Sequence, residues 1–129
     1  GAAAAGIGSM FADIFSGYAA WAPATLIIKA ATAFLGGWVF HKLHVSGFAT
    51  PVRTVLAGIP AEIVMVFGYY VYEVGLAMAG GSAFGAAAVA TASGVPFNIV
   101  QGAAGVIVSA VLLPVLSRAS GDLRARIHA

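Results

Sequence analysis

The sequence of 129 residues contains no cysteine and very few charged residues. Without cysteine, disulfides, thiolate metal sites and cysteine nucleophiles are all excluded. Only 8% of the residues are charged, against about 25% in a soluble domain, so they cannot cover the surface of a water-soluble globule. Disorder is excluded too, since it requires low hydrophobicity, whereas 61% of these residues are hydrophobic. The composition predicts an all-α membrane protein, built as a bundle of transmembrane helices.

Four apolar stretches divide the chain, which we interpret as a single transmembrane domain over residues 1–129. They cover about residues 1–16, 23–40, 54–79 and 96–116. The last three reach the roughly 17 residues that a helix needs to cross a bilayer. The first is shorter and starts on an alanine-rich run without an initiator methionine, so we interpret it as the remainder of a longer span.

The region between the third and fourth stretches is rich in alanine and glycine. Residues 80–93 contain no charged side chain. Two interpretations stay open at this point: an outer loop with a short helix, or an extension of the fourth span beyond a kink at Pro96.

Lysine and arginine indicate the orientation. Lys42 and Arg53 flank the connection between the second and third stretches, and three arginines follow the fourth, within residues 118–126. Residues 17–22 and 80–94 contain neither lysine nor arginine. The positive-inside rule therefore predicts that the second-to-third connection and the C-terminus are cytoplasmic.

Small residues predict where the helices touch. In lipid, helices associate by close approach of their backbones at glycine, alanine and serine. We therefore expect helix contacts at Gly36–Gly37, at Gly58 and along the stripe of Gly102, Gly105 and Ser109. The alternative is that these residues only reflect an alanine- and glycine-rich composition.

Charged side chains within the apolar stretches are candidates for a structural or functional role, because each costs about 2.5–3.5 kcal/mol on insertion scales. Asp13 and Lys29 fall at matching depths near the outer ends of the first and second stretches. We predict that they form an ion pair, which either locks two helices together or belongs to a ligand site. Glu62, in the inner half of the third stretch, is expected to cap a helix after Pro60 or to meet a partner subunit.

A second set of polar and aromatic side chains lies near the outer ends of the third and fourth stretches. Tyr69 and Glu73 share a helix face at spacing i, i+4, and apolar residues follow Glu73, so its carboxylate needs a partner. Aromatic faces with a few convergent polar groups indicate a small-molecule site, here open outward and suited to a flat, polar heteroaromatic ligand. The predicted site comprises Tyr69, Tyr70, Glu73, Asn98 and Gln101, with Tyr18 and Trp21 above them in the first outer loop.

The sequence contains no motif that is typical of a catalytic or metal site. His41 and His44 lie beside Lys42 without an HExxH motif or a carboxylate, so we interpret them as a cytoplasmic rim rather than as metal ligands. No serine has a histidine at a plausible depth, which argues against intramembrane hydrolysis. We predict no enzyme, no metal and no cofactor. The alternative to a binding protein is a structural or assembly subunit, or a membrane-embedded enzyme. The outward polar cluster argues against the first, and the absence of an acid–base–nucleophile set argues against the second.

The order of four motifs resembles the riboflavin-type S components, the substrate-binding subunits of energy-coupling factor (ECF) transporters. The motifs are GIGSMFADIFSGY at 6–18, APATLIIK at 22–29, MVFGYYVYE at 65–73 and PFNIVQ at 96–101, so the resemblance covers nearly the whole chain. It implies six transmembrane helices, of which the first two would be absent here. It also implies capture of a riboflavin-like vitamin from outside a bacterial cell membrane, and delivery to a T component and two ATPase subunits.

Overall fold

The chain is folded almost entirely into helices. A computed structural model describes residues 1–127, with the side chains of residues 1–121, so the predicted C-terminus at Ala129 and the side chains of Arg124 and Arg126 lie outside it. The described residues contain no strand, which confirms the all-α prediction. The helices are α1 (Ala2–Phe15), α2 (Ala22–Lys42), α3 (Thr50–Ala79), α4 (Phe84–Thr91) and α5 (Val95–Ile127).

Three segments are long and apolar enough to cross a membrane. They are Ala22–Ser46, which includes α2, Thr50–Ala79, which is α3, and Phe84–Gly121, which runs from α4 into α5. Helix α1 has 14 residues, fewer than the roughly 17 that a span needs. The described residues therefore contain three candidate membrane-spanning helices, consistent with the predicted bundle, and the bounds of the four spans, including a crossing by the first, stay predictions.

The region after α3 contains elements of both interpretations that the sequence left open. It forms the short helix α4, and a single 3-10 turn at Ala92–Gly94 then leads directly into α5. Tyr70 donates a hydrogen bond from its hydroxyl to the backbone oxygen of Ala88, at 3.1 Å, which fixes α4 against α3.

Glycines with positive φ follow α1 and α3, where the loops to α2 and α4 begin. Gly17 follows α1 with φ +85° and Gly81 follows α3 with φ +97°. At the first, the Tyr18 N–H donates to Asp13 O, at 2.7 Å, and the Gly17 N–H donates to Ile14 O. This pair of backbone hydrogen bonds is the Schellman motif, in which glycine adopts the left-handed conformation without a steric penalty. It reverses the chain, and the loop that follows packs against α3, where the hydroxyl of Tyr72 donates to the backbone oxygen of Ala20.

The long helices pack in a row. Helix α1 contacts α2, α2 contacts α3, and α3 contacts α5, while α4 lies against α3. A small core of Ala24, Ile28 and Met65 lies between α2 and α3, with Tyr69 and Tyr72 packed against it. Most other large apolar side chains remain exposed, as expected of helices that face lipid.

Several of the predicted small-residue contacts are present. A Cβ atom added to Gly36 would lie 3.4 Å from the Cβ of Ala61, and one added to Gly58 would press on Val106. These two glycines therefore lie where α2 meets α3 and where α3 meets α5. Gly37 and Gly105 have no neighbouring atom within 4 Å of such a Cβ among the described residues, so they are not points of contact between these helices.

Candidate small-molecule site

An aromatic pair lies in the loop between α1 and α2. The ring centroids of Tyr18 and Trp21 lie 5.9 Å apart, with their planes at 80°. The backbone N–H of Trp21 donates to Tyr18 O, at 2.9 Å, which fixes the turn that brings the rings together. Tyr18 is exposed and Trp21 is half-buried. The loop therefore presents an edge-to-face aromatic surface at the position that the sequence predicts.

A recess of about 480 Å³ lies directly below this loop. Trp21 and Glu73 border it together with residues from the C-terminal ends of α3 and α4 and from the turn before α5. The carboxylate of Glu73 lies over the backbone of Gly94, because a Cβ at that position would be 3.2 Å from Glu73 Oε2. Trp21 lines the same recess as this carboxylate. The recess thus combines an aromatic wall, a carboxylate acceptor and an indole donor.

The polar residues of α2 and α3 form a ladder that continues inward from this recess. The Tyr69 hydroxyl donates to Thr25 Oγ1, at 3.1 Å, and Thr25 is buried. One turn deeper, the Lys29 ammonium donates to Met65 Sδ, at 3.0 Å. The same ammonium lies 5.6 Å from the centroid of the Tyr69 ring.

Three of the predicted site residues lie away from this recess. Tyr70 faces α4 and lines a separate apolar groove of about 920 Å³ between α3 and α5. Asn98 is half-buried and Gln101 is exposed on α5, and neither borders the Glu73 recess in the described part of the chain. The structure therefore brings Trp21 and Glu73 to one recess, with the ring of Tyr18 against that of Trp21. The roles of all the predicted site residues stay predictions.

The expected ion pair between Asp13 and Lys29 is not formed in the structure. Lys29 instead donates to Met65, and within the described residues one oxygen of Asp13, Oδ2, is buried without a hydrogen-bond partner. The two charges are close enough to interact electrostatically. Depth alone suggested the pair, but Lys29 is directed toward the α2–α3 contact, whereas Asp13 lies on α1.

Glu62 has a more central position than the sequence suggests. Helix α3 continues through Pro60 from Thr50 to Ala79, so the expectation that Glu62 caps a helix is wrong. Its side chain packs on Gly102 of α5, where any Cβ would overlap the carboxylate. One of its oxygens, Oε2, is buried without a hydrogen-bond partner in the described region, and its charge acts on Lys29. The signal that could have revealed this is Gly102, a small residue opposite an intramembrane carboxylate.

Comparisons with known proteins place the chain in one family. Residues 1–118 match the family of the ECF-type riboflavin transporter, S component. Comparisons with curated proteins and with solved structures give no significant match. The chain therefore belongs to the family of ECF-type riboflavin transporter S components, which are substrate-binding subunits of membrane transporters and not enzymes.

Proposed function

We propose that this S component captures a riboflavin-like vitamin on the outer side of a bacterial cell membrane for ATP-driven uptake. The family gives the class of protein, and the observation that supports this ligand is the recess formed by Trp21 and Glu73. An aromatic wall with a carboxylate suits a flat heteroaromatic molecule that carries N–H donors. An isoalloxazine ring system has this chemistry.

The orientation follows from the distribution of basic residues. Lys42 and Arg53 lie at the end of α2 and the start of α3, opposite to the recess along both helices. The positive-inside rule makes this end cytoplasmic, so the recess opens outward and the C-terminus is inside. In this arrangement a T component and two ATPase subunits act from the cytoplasmic side, and residues 1–129 form one transmembrane domain.

Ligand retention tests the proposal directly. Protein purified in detergent should carry a flavin, or should bind added riboflavin with quenching of the flavin emission. Glu73→Ala and Asn98→Ala should each weaken binding by tenfold or more, on the order of 1.4 kcal/mol. For Glu73 the physical reason is that a ligand donor loses its acceptor in a site that water no longer fills. Asn98 tests whether α5 contributes to the same site.

The two tryptophans provide a matched control. Trp21 borders the recess, whereas Trp38 lies near the inner end of α2. Trp21→Phe should weaken riboflavin binding, and Trp38→Phe should leave the affinity unchanged. In Trp38→Phe the remaining indole is Trp21, so its emission should fall strongly when flavin binds. A purified protein that neither carries nor binds a flavin would contradict the proposed function.

A further inference from the structure

The ammonium of Lys29, a half-buried residue of α2, has few hydrogen-bond partners. It carries three N–H donors and no acceptor. Among the described residues it makes one hydrogen bond, to the thioether sulfur of Met65, at 3.0 Å, and sulfur is a weak acceptor. No carboxylate of the described chain lies within ion-pair distance, although Asp13 and Glu62 act on it electrostatically. The Lys29 ammonium thus has N–H donors that no strong acceptor of the described residues engages.

The position of Lys29 connects it to the recess. Trp21, Thr25 and Lys29 follow each other at spacing i, i+4 on α2, and therefore lie on one helix face. Opposite them on α3, Glu73 and Tyr69 lie on one face at the same spacing. Hydrogen bonds link the helices at two levels, Tyr69 to Thr25 and Lys29 to Met65 of α3, and at the next level Trp21 and Glu73 line the same recess. Lys29 thus lies on the same seam as the recess, about two helical turns inward from Trp21.

We propose that Lys29 is a ligand-binding residue, whose ammonium donates to an acceptor-rich edge of the bound molecule, such as ring carbonyl oxygens, beside the face of Tyr69. The inference rests on the proposed function, because it adds a cationic donor on α2 to the same site. A lysine side chain is flexible and its three donors rotate freely, so the ammonium can exchange Met65 Sδ for a stronger oxygen acceptor. Glu73 then accepts hydrogen bonds from donors at the outer end of the ligand, and Lys29 donates hydrogen bonds to acceptors at its inner end.

Lys42 offers a matched control. Its ammonium lies 5.6 Å from the ring centroid of Trp38, the same separation as between Lys29 and Tyr69. It lies at the last residue of α2, at the opposite end from the recess. Lys42→Met therefore removes an equivalent cation–aromatic contact without touching the seam.

The experiment measures the dissociation constants of riboflavin and of a thio analogue, in which sulfur replaces a ring carbonyl oxygen. Lys29→Met keeps the length of the side chain and leaves no unpaired charge in the membrane. It should weaken riboflavin binding by tenfold or more, and it should reduce or abolish the preference of the wild type for oxygen over sulfur. Lys29→Arg should retain part of the affinity, and Lys42→Met should behave as the wild type. Should Lys29→Met fail to fold, Lys29→Gln takes its place under the same criteria.

Two contrary results are distinguishable. If the wild type binds riboflavin and Lys29→Met binds it within twofold, with the same preference for oxygen, then Lys29 is only a structural residue and the inference is overturned. In that case the variant changes the melting temperature of the ligand-free protein and not the affinity. If the wild type itself binds no flavin, the proposed function fails, and the inference fails with it.

Discussion

Replacing Gly6 by alanine tests whether α1 packs on α2 as the structure shows. Gly6 is the buried residue of α1, and its Cα faces α2. A Cβ there would lie 2.6 Å from the backbone oxygen of Leu26 and 3.2 Å from the Cβ of Ala30. The backbone oxygen cannot rotate away as a side chain could. One of the two helices must therefore move when the methyl group is added.

The expected magnitude is the difference of two effects. Forcing an extra methyl group into a packed contact costs about 1–3 kcal/mol. Alanine is more favourable than glycine within a helix by about 0.5–1 kcal/mol. Gly6→Ala should therefore lower the free energy of unfolding by up to about 2.5 kcal/mol. Titration of the detergent-solubilised protein with sodium dodecyl sulfate, followed by circular dichroism, measures this change.

Gly8 supplies the control for the same helix. A Cβ at Gly8 has no described atom within 4 Å, so Gly8→Ala gains the helix propensity without the clash. It should be as stable as the wild type or up to about 1 kcal/mol more stable. The gap between the two variants isolates the steric effect at the α1–α2 contact. Equal stability of Gly6→Ala and Gly8→Ala would refute this packing.

Hydropathy predicts the long helices well, because membrane crossing requires a long apolar run in any sequence. It predicts their ends less well. Helix α3 begins at Thr50 rather than near residue 54, with Pro51 in its first turn, where a missing N–H costs nothing. Helix α5 continues through Pro114 well beyond residue 116. An apolar stretch predicts only the part of a helix that lies in lipid. The helix itself extends further, into the polar interface, so its ends lie beyond the predicted ones.

The site shows what depth and periodicity can and cannot determine. Periodicity predicts Tyr69 and Glu73 on one side of α3; in the structure Tyr69 bonds to Thr25 of α2, and Glu73 lines the recess beside Trp21, the residue before α2. The next residue, Tyr70, is rotated by about 100° around the helix, which is enough to direct it to α4 instead. Which helix occupies each direction depends on the packing order, and no local pattern in the sequence contains that order.

The charged residues illustrate the same limit. Matching depth brings Asp13 and Lys29 close enough to interact, but it does not fix the direction of either side chain around its helix. Depth alone separates Glu62, in the inner half of the third stretch, from the residues of the predicted site. Lysine has a long side chain, so Lys29 comes within electrostatic reach of Glu62 deeper in the membrane. The length of the side chain therefore matters as much as the position of the backbone.

Two further predictions test the orientation and the α2–α3 contact. Cysteines introduced at Ser46 and Ser120 should resist impermeant thiol reagents in intact cells, and one at Ser82 should be labelled, because the positive-inside rule places only the last outside; the reverse labelling pattern would overturn the orientation. Tyr69→Phe removes the hydroxyl that donates to Thr25 Oγ1 and leaves the packing of the ring intact. Thr25 is only 3% exposed. The free energy of unfolding should fall by about 0.5–1.5 kcal/mol, since a buried hydroxyl loses its partner. Stability equal to the wild type in the same detergent titration would show that this hydrogen bond does not hold α2 and α3 together.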